Sequence, residues 1–347
     1  DSFTITGNFT NVTDSTMFYL TNSDSGIKID SALLLNGKLS MKGKLSETPE
    51  FLILQASLGK EHLGKFLLMG NEDVNLSGDK DDFPYHIKTS GSVYQQEEDK
   101  LNDLVKDLRQ ERHEMVMDYF SSSDSIKESK EGDLIKNMKR IDSITDKITI
   151  EFIGENINTY AALNQLSFYK DRIDIDTVKQ LYAKINDDMK KTKYAELVKV
   201  YIDNKKLEEG DEYYDFEAFN TEEKQVKLSE LRKKYTLIEF TSRFCGPCRQ
   251  ALPELKKINR EYGENLSIVS FSTDRKKEDW IDLVKVDSAS WPVLWDGKGR
   301  YSEIQVRYGV SGVPSFVVIG PDNKIVKKWT GYGGATIESI LKEVINL

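Results

Sequence analysis

The sequence predicts a multi-domain α+β protein. An antiparallel β domain comes first, a helical middle region follows, and an α/β domain with a central mixed sheet closes the chain. Three observations predict it. The chain has 347 residues, more than one ordinary core encloses. All seven prolines lie at or before Pro84 or at or after Pro247, and only Gly132 and Gly154 punctuate the stretch from Ser92 to Glu209. After Leu207 strand-like and helix-like segments alternate. The boundaries follow as 1–91, 92–207 and 208–347.

In 1–91, Ser2-Phe3-Thr4-Ile5-Thr6 and Thr16-Met17-Phe18-Tyr19-Leu20 are β-formers bounded by Asn, Asp, Ser and Gly turns. Asn36-Gly37 within Leu33–Leu39 is a hairpin signal, because both turn positions tolerate positive φ. Phe51–Leu54 and Lys65–Met69 read as buried strands. Short strands with tight turns predict an antiparallel sandwich or a barrel-like sheet.

In 92–207, Leu101, Leu104, Val105, Leu108, Met115 and Tyr119 recur at helical spacing between charges. Leu134, Ile135, Met138, Ile141 and Ile144 mark a second helix, and shorter ones are expected at Thr159–Tyr169, Asp176–Met189 and Tyr194–Asn204. Charge runs such as Glu97-Glu98-Asp99-Lys100 read as solvated helix faces.

In 208–347, strands are expected at Tyr235–Thr241, Leu266–Thr273, Ser315–Ile319 and Lys324–Trp329. Helices are expected at Pro247–Tyr262, Lys276–Lys285 and Thr336–Asn346. The Pro321-Asp322-Asn323 turn joins the last two strands as a hairpin, which makes the sheet mixed.

Composition excludes several classes. No run of about 18 apolar residues exists, so no transmembrane helix is expected. A net charge of −9 argues against a nucleic-acid partner, which requires a basic footprint. The only two cysteines, Cys245 and Cys248, exclude a disulfide scaffold. They exclude a zinc site built on two cysteine pairs as well, and His62, His86 and His113 are remote from them. No metal is expected.

The chemistry concentrates in Phe244-Cys245-Gly246-Pro247-Cys248-Arg249, which follows a strand and opens a helix. Free backbone N–H groups and the helix dipole favour a thiolate at Cys245. Two intervening residues let Cys248 close a disulfide over one helical turn and resolve a mixed disulfide at Cys245. Pro247 falls in the first turn, where its missing N–H costs no hydrogen bond. Glu239, six residues before Cys245, is placed by strand alternation to point beneath the pair and relay a proton. Val313-Pro314 precedes a strand. A cis bond there would let the Val313 N–H and C=O pair with an extended substrate.

Residues 208–347 resemble a thioredoxin-fold domain of the TlpA/ResA type of thiol–disulfide oxidoreductases, within the AhpC/TSA-type superfamily. The lead-in Leu207-Glu208-Glu209-Gly210-Asp211, the Cys245–Cys248 motif, Tyr308–Pro314 and Pro321–Ile325 match its landmarks in order. The N-terminal regions resemble the accessory part of many such proteins. The resemblance implies a disulfide reductase whose catalytic residues are Cys245, Cys248 and Glu239, with Phe244, Gly246, Pro247, Val313 and Pro314 shaping the substrate site. It implies no cofactor beyond a redox-active Cys245–Cys248 disulfide. The implied partners are a disulfide-bearing protein substrate and an external, membrane-associated dithiol donor. The implied location is the periplasm or cell envelope, with a lipid anchor ahead of Asp1 as a possibility. The chain departs from the family at Phe244, where tryptophan is usual, and at Thr241-Ser242-Arg243.

Two rivals stand beside the reductase. In one, residues 1–207 carry the main function and the redox domain senses or latches a partner. In the other, the protein is a peroxidase. That chemistry wants Thr three residues before the reactive cysteine and an upstream proline, whereas Ser242 holds that place and no proline lies between Pro84 and Pro247.

Overall fold

The computed structural model describes residues 2–23, 26–46, 48–59, 61–334 and 336–345. Asp1 and Asn346, on which two of the expectations above fall, lie outside the described residues. The chain forms two compact units: one runs to Tyr169 and adds Ala183–Tyr194, the other comprises Lys170–Tyr182 and the chain from Ala195 onward.

Among the described residues, the first unit opens with eight strands: β1 (Phe3–Thr10), β2 (Met17–Asn22), β3 (Lys28–Leu33), β4 (Lys38–Gly43), β5 (Glu50–Leu58), β6 (Glu61–Met69), β7 (Asp73–Asp79) and β8 (Lys88–Ser90). They make two four-stranded sheets, β4-β1-β7-β8 and β3-β2-β5-β6. Alternating residues from both sheets, among them Phe3, Ile5, Phe18, Leu20, Met41, Leu54, Leu67 and Leu76, build one core. This is a sandwich, as the period-two pattern requires.

Two details differ from expectation. The β1–β7 pair is parallel rather than antiparallel. Parallel neighbours cannot share a tight turn, and here the chain leaves through the second sheet before it returns. The Asn36-Gly37 turn has both residues at positive φ and closes a Leu35–Lys38 bridge. Its flanking strands β3 and β4 nonetheless belong to different sheets, so it is a corner and not a hairpin end. A Cβ on Gly37 would stand 2.8 Å from the Phe9 carbonyl oxygen, so only glycine fits that corner.

Helices α1 (Val93–Ser121), α2 (Asp124–Glu155) and α3 (Tyr160–Tyr169) follow. Ser92 caps α1 by accepting from the Gln95 N–H, and the Gln95 side chain accepts from the Leu68 N–H of β6. Helix α2 is longer at both ends than its apolar pattern indicates, and Arg112–Asp142 and Arg140–Glu111 ion pairs join it to α1. The helix expected at Asp176–Met189 is shorter: α4 (Ile175–Ala183) stops and a separate turn covers Met189–Lys191. Asn186 accounts for the break, because its side chain accepts from the Met189 N–H. Helix α5 spans Lys193–Asp203.

The rest of the second unit contains β9 (Glu217–Phe219), β10 (Gln225–Lys227), β11 (Tyr235–Thr241), α6 (Gly246–Tyr262), β12 (Leu266–Ser272), α7 (Lys277–Asp287), β13 (Val293–Trp295), α8 (Glu303–Tyr308), β14 (Ser315–Ile319), β15 (Ile325–Thr330) and α9 (Ile337–Val344). The sheet order is β10-β9-β13-β12-β11-β14-β15. Strands β11, β12 and β13 run parallel, and β14 and β15 add antiparallel, so the sheet is mixed. Every residue of β11 is buried, as a central strand covered on both faces must be. Ile238 and Phe240 meet Ile304 and Tyr308 of α8 on one face. Leu237 meets Ala251, Leu255 and Ile258 of α6 and Leu341 of α9 on the other. Strands β9, β10 and β13 have three residues each, too short for a period to show in the sequence.

Candidate functional site: a cysteine pair at a helix start

Strand β11 ends at Thr241, the chain turns through Ser242-Arg243-Phe244, and α6 begins at Gly246. Cys245 is the N-cap, and its sulfur accepts from the Cys248 N–H at 3.1 Å. One backbone donor of the first turn therefore points at Cys245 Sγ, an arrangement that favours negative charge there. Cys245 and Cys248 are joined as a disulfide, with an S–S distance of 2.01 Å. Both are buried, at 7% and 4% exposure. Cys248, Ala251, Leu255 and Ile258 form the inward stripe of α6, so Cys248 faces the sheet.

Glu239 lies on that face, two residues beyond Leu237 on β11. It is 4% exposed. Burial pushes its carboxyl up to about 7, the Ser270 hydrogen bond opposes that rise, and the Asp287 charge adds to it. Ser270 stands opposite Glu239 in the β11–β12 register and donates through Oγ to Glu239 Oε2 at 2.5 Å. Trp291 Nε1 in turn donates to Ser270 Oγ at 2.8 Å.

The Val313–Pro314 peptide bond is cis. Phe240 pairs with Ser315, so the register sets Pro314 beside Thr241 at the strand end that launches the cysteine motif. Pro314 is buried and Val313 half-buried. Phe244, Gly246 and Pro247 are exposed, Phe244 to 74%, with the Arg243 guanidinium 5.3 Å from the Phe244 ring centre. Arg243 is held in turn: its N–H donates to Asp274 at 2.9 Å and its side chain pairs with Asp282.

The structure thus brings Glu239, Cys245, Gly246, Pro247, Cys248 and Pro314 to one end of the sheet, with Phe244 at the rim. Sequence reasoning missed Ser270, Trp291 and Asp282. Ser270 sits in an apolar strand, and Trp291 reads as a packing residue. Trp280 and Trp295 do stack on each other at 5.0 Å, and Trp329 stacks on Phe316 at 4.9 Å. Among the described residues, no group of three or more His, Cys, Asp or Glu side chains is arranged to hold a metal ion.

A cysteine pair at the start of a helix, following the central strand of a mixed sheet, defines a thiol–disulfide oxidoreductase. Residues 210–328 match the AhpC/TSA family and form a domain of that family with the thioredoxin fold. Residues 3–98 match a domain of unknown function, DUF4369. The chain is similar to the thiol-disulfide oxidoreductase ResA of Bacillus subtilis, 25% identical over 43% of this chain and 80% of the relative. It is also similar to ResA of Bacillus cereus, 27% identical over 38% of this chain and 75% of that one. Among solved structures, a thiol:disulfide interchange protein DsbE from Chlorobium tepidum is 27% identical with a TM-score of 0.36, covering 40% of this chain and 95% of its own. The thioredoxin domain of a thiol-disulfide oxidoreductase from Bacteroides vulgatus is 26% identical with a TM-score of 0.36, covering 40% and 99%. Among the described residues, no helix is long and apolar enough to cross a membrane.

Proposed function

We propose that this oxidoreductase works as a reductase of protein disulfides. The observation that carries the reading is the Cys245–Cys248 pair at the α6 N-terminus, with the buried Glu239 on the sheet face beneath that helix.

In the reduced protein, the Cys245 thiolate attacks one sulfur of a substrate disulfide. The substrate S–S bond breaks, one substrate sulfur leaves as thiolate, and a mixed disulfide forms at Cys245. Glu239 takes the proton from the Cys248 thiol. The Cys248 thiolate attacks Cys245 Sγ, the second substrate thiolate leaves, and the Cys245–Cys248 disulfide results. Two electrons have passed to the substrate. The chain has no third cysteine, so an external dithiol must restore the pair. Phe244, Gly246, Pro247, Val313 and Pro314 shape the substrate groove, and Val313 offers its backbone to an extended segment by strand addition. No cofactor takes part. Ser242 stands three residues before Cys245, where a peroxidase wants Thr, and this favours the reductase over peroxide chemistry.

The Gly-Pro dipeptide between the cysteines supports a reducing potential, near the roughly −270 mV of thioredoxin. Equilibration with glutathione measures it, and a value near about −120 mV would overturn the reductase direction. A place in the periplasm or cell envelope belongs to the same proposal. The single cysteine pair tolerates an oxidising compartment. Cell fractionation tests it, and recovery in the cytoplasm would overturn it.

A further inference from the structure

We propose that Ser270, oriented by Trp291, is a positioning residue that holds Glu239 by Oε2 and leaves Oε1 as the oxygen that takes and returns the Cys248 proton. This deepens the reading above and rests on it.

The direction of the network is fixed by chemistry. An indole N–H only donates, so Trp291 Nε1 gives its hydrogen to Ser270 Oγ at 2.8 Å. Ser270 has one hydroxyl hydrogen, and the Glu239 oxygen is its partner at 2.5 Å. Among the described residues the Ser270 hydroxyl hydrogen has no acceptor other than Oε2, so the hydroxyl accepts from the indole and donates to Oε2. A proton placed on Oε2 would meet the Ser270 hydrogen head-on. The proton of the neutral carboxyl accordingly sits on Oε1, which takes no hydrogen bond among the described residues. All three side chains belong to one face: Glu239 follows Leu237, Ser270 follows Ile268, and Trp291 packs in the same cluster against α6. The inward stripe of α6 begins at Cys248.

The network also sets when Glu239 becomes a base. Burial raises its proton affinity, and the Ser270 donor, which stabilises the carboxylate, lowers it. Asp287, at the end of α7, adds its charge to the rise at Glu239. The attraction of Arg249, Lys256 and Arg243 bears on Asp287 in turn. Helix α6 brings Cys245 and Cys248, while the register neighbours on β12 and β14 are Ser270 and Phe316, which do not titrate. In the resolving step the proton leaves Cys248 Sγ for Glu239 Oε1. The electron pair left on sulfur forms the bond to Cys245 Sγ, and the substrate departs as thiolate. The reverse transfer returns the proton when the external dithiol opens the pair.

The test is a carbon-13 NMR titration of the Glu239 carboxyl in the oxidised protein, paired with the pH dependence of single-turnover resolution. Ser270→Ala removes a charge-assisted donor, so the Glu239 midpoint should rise by about one to two pH units. Trp291→Phe frees the hydroxyl to turn, and its midpoint should rise by less. Ser270→Thr keeps the hydroxyl and should restore the wild-type midpoint. In a Glu239→Gln background, Ser270→Ala should leave the rate profile unmoved. A Ser270→Ala midpoint equal to wild type would overturn the proposal, and so would a rate shift that persists without Glu239. Failure of the reductase reading shows elsewhere, as insulin reduction surviving Cys245→Ser.

Discussion

Glu239 on β11 stands directly across from Ser270 on β12, and the Ser270 hydroxyl donates to its carboxylate at 2.5 Å. That single donor is what the sheet supplies to a carboxyl buried in a strand where every residue is covered. One hydrogen bond does not offset full desolvation, so the carboxyl remains raised to about 7.

The raised carboxyl makes stability depend on pH. The folded value of about 7 lies above the ordinary 4.5, so the protonated form favours folding. That contribution is fully present below about pH 4.5 and is lost as pH rises through about 7, amounting to about 3 kcal/mol. Glu239→Gln should therefore stabilise the oxidised protein at pH 8 by up to about 3 kcal/mol and change little at pH 4. Urea unfolding at the two pH values measures this; equal effects at both would refute it.

The division of labour between the cysteines predicts two phenotypes. Cys245→Ser should abolish insulin reduction with dithiothreitol, because the proposed mechanism makes Cys245 the attacking sulfur. Cys248→Ser should instead accumulate a mixed disulfide, visible as a dithiothreitol-sensitive band on a non-reducing gel. Equal insulin turbidity from wild type and Cys245→Ser would sink the assignment.

Leu255 is fully buried on the stripe of α6 that begins at Cys248. Leu255→Ala should cost about 2–5 kcal/mol through lost transfer energy and the cavity left behind. Thermal unfolding followed by tryptophan fluorescence reports this unit, since all four tryptophans lie between Trp280 and Trp329. An unchanged melting temperature would contradict the packing described.

Gly91 precedes the Ser92 cap of α1 at a φ of 100°, and a Cβ there would fall 2.0 Å from the Asp73 carbonyl oxygen. Gly91→Ala should destabilise the first unit by more than the roughly 1–3 kcal/mol of backbone strain alone. Circular dichroism melting would show it, and a wild-type curve would count against the turn geometry.

Much of the site was legible because it is local. Strand, turn, cysteine pair and helix start follow one another from Tyr235 to Tyr262, and the observed bounds of β11 and β14 coincide with those expected from the apolar runs. The Asn36-Gly37 turn was legible as chemistry but not as topology. Positive φ at both residues is a local property, whereas the sheet each flanking strand joins depends on the whole sandwich core. Asn186 shows the converse case. Its capping bond to Met189 overrides an apolar spacing that reads as one continuous helix.

By itself the sequence determined the reactive pair, its place at a helix start and the economy of two cysteines, since spacing and composition are properties of the linear chain. Only the tertiary structure decided what surrounds that pair. Ser270 lies 31 residues from Glu239 along the chain and Trp291 another 21 beyond. Parallel register is what sets the serine against the carboxylate, and packing against α6 is what aims the indole at the serine. The proton affinity of Glu239 follows from its burial in the central strand and from the Ser270 placement, because desolvation and hydrogen bonding act through space and not along the backbone.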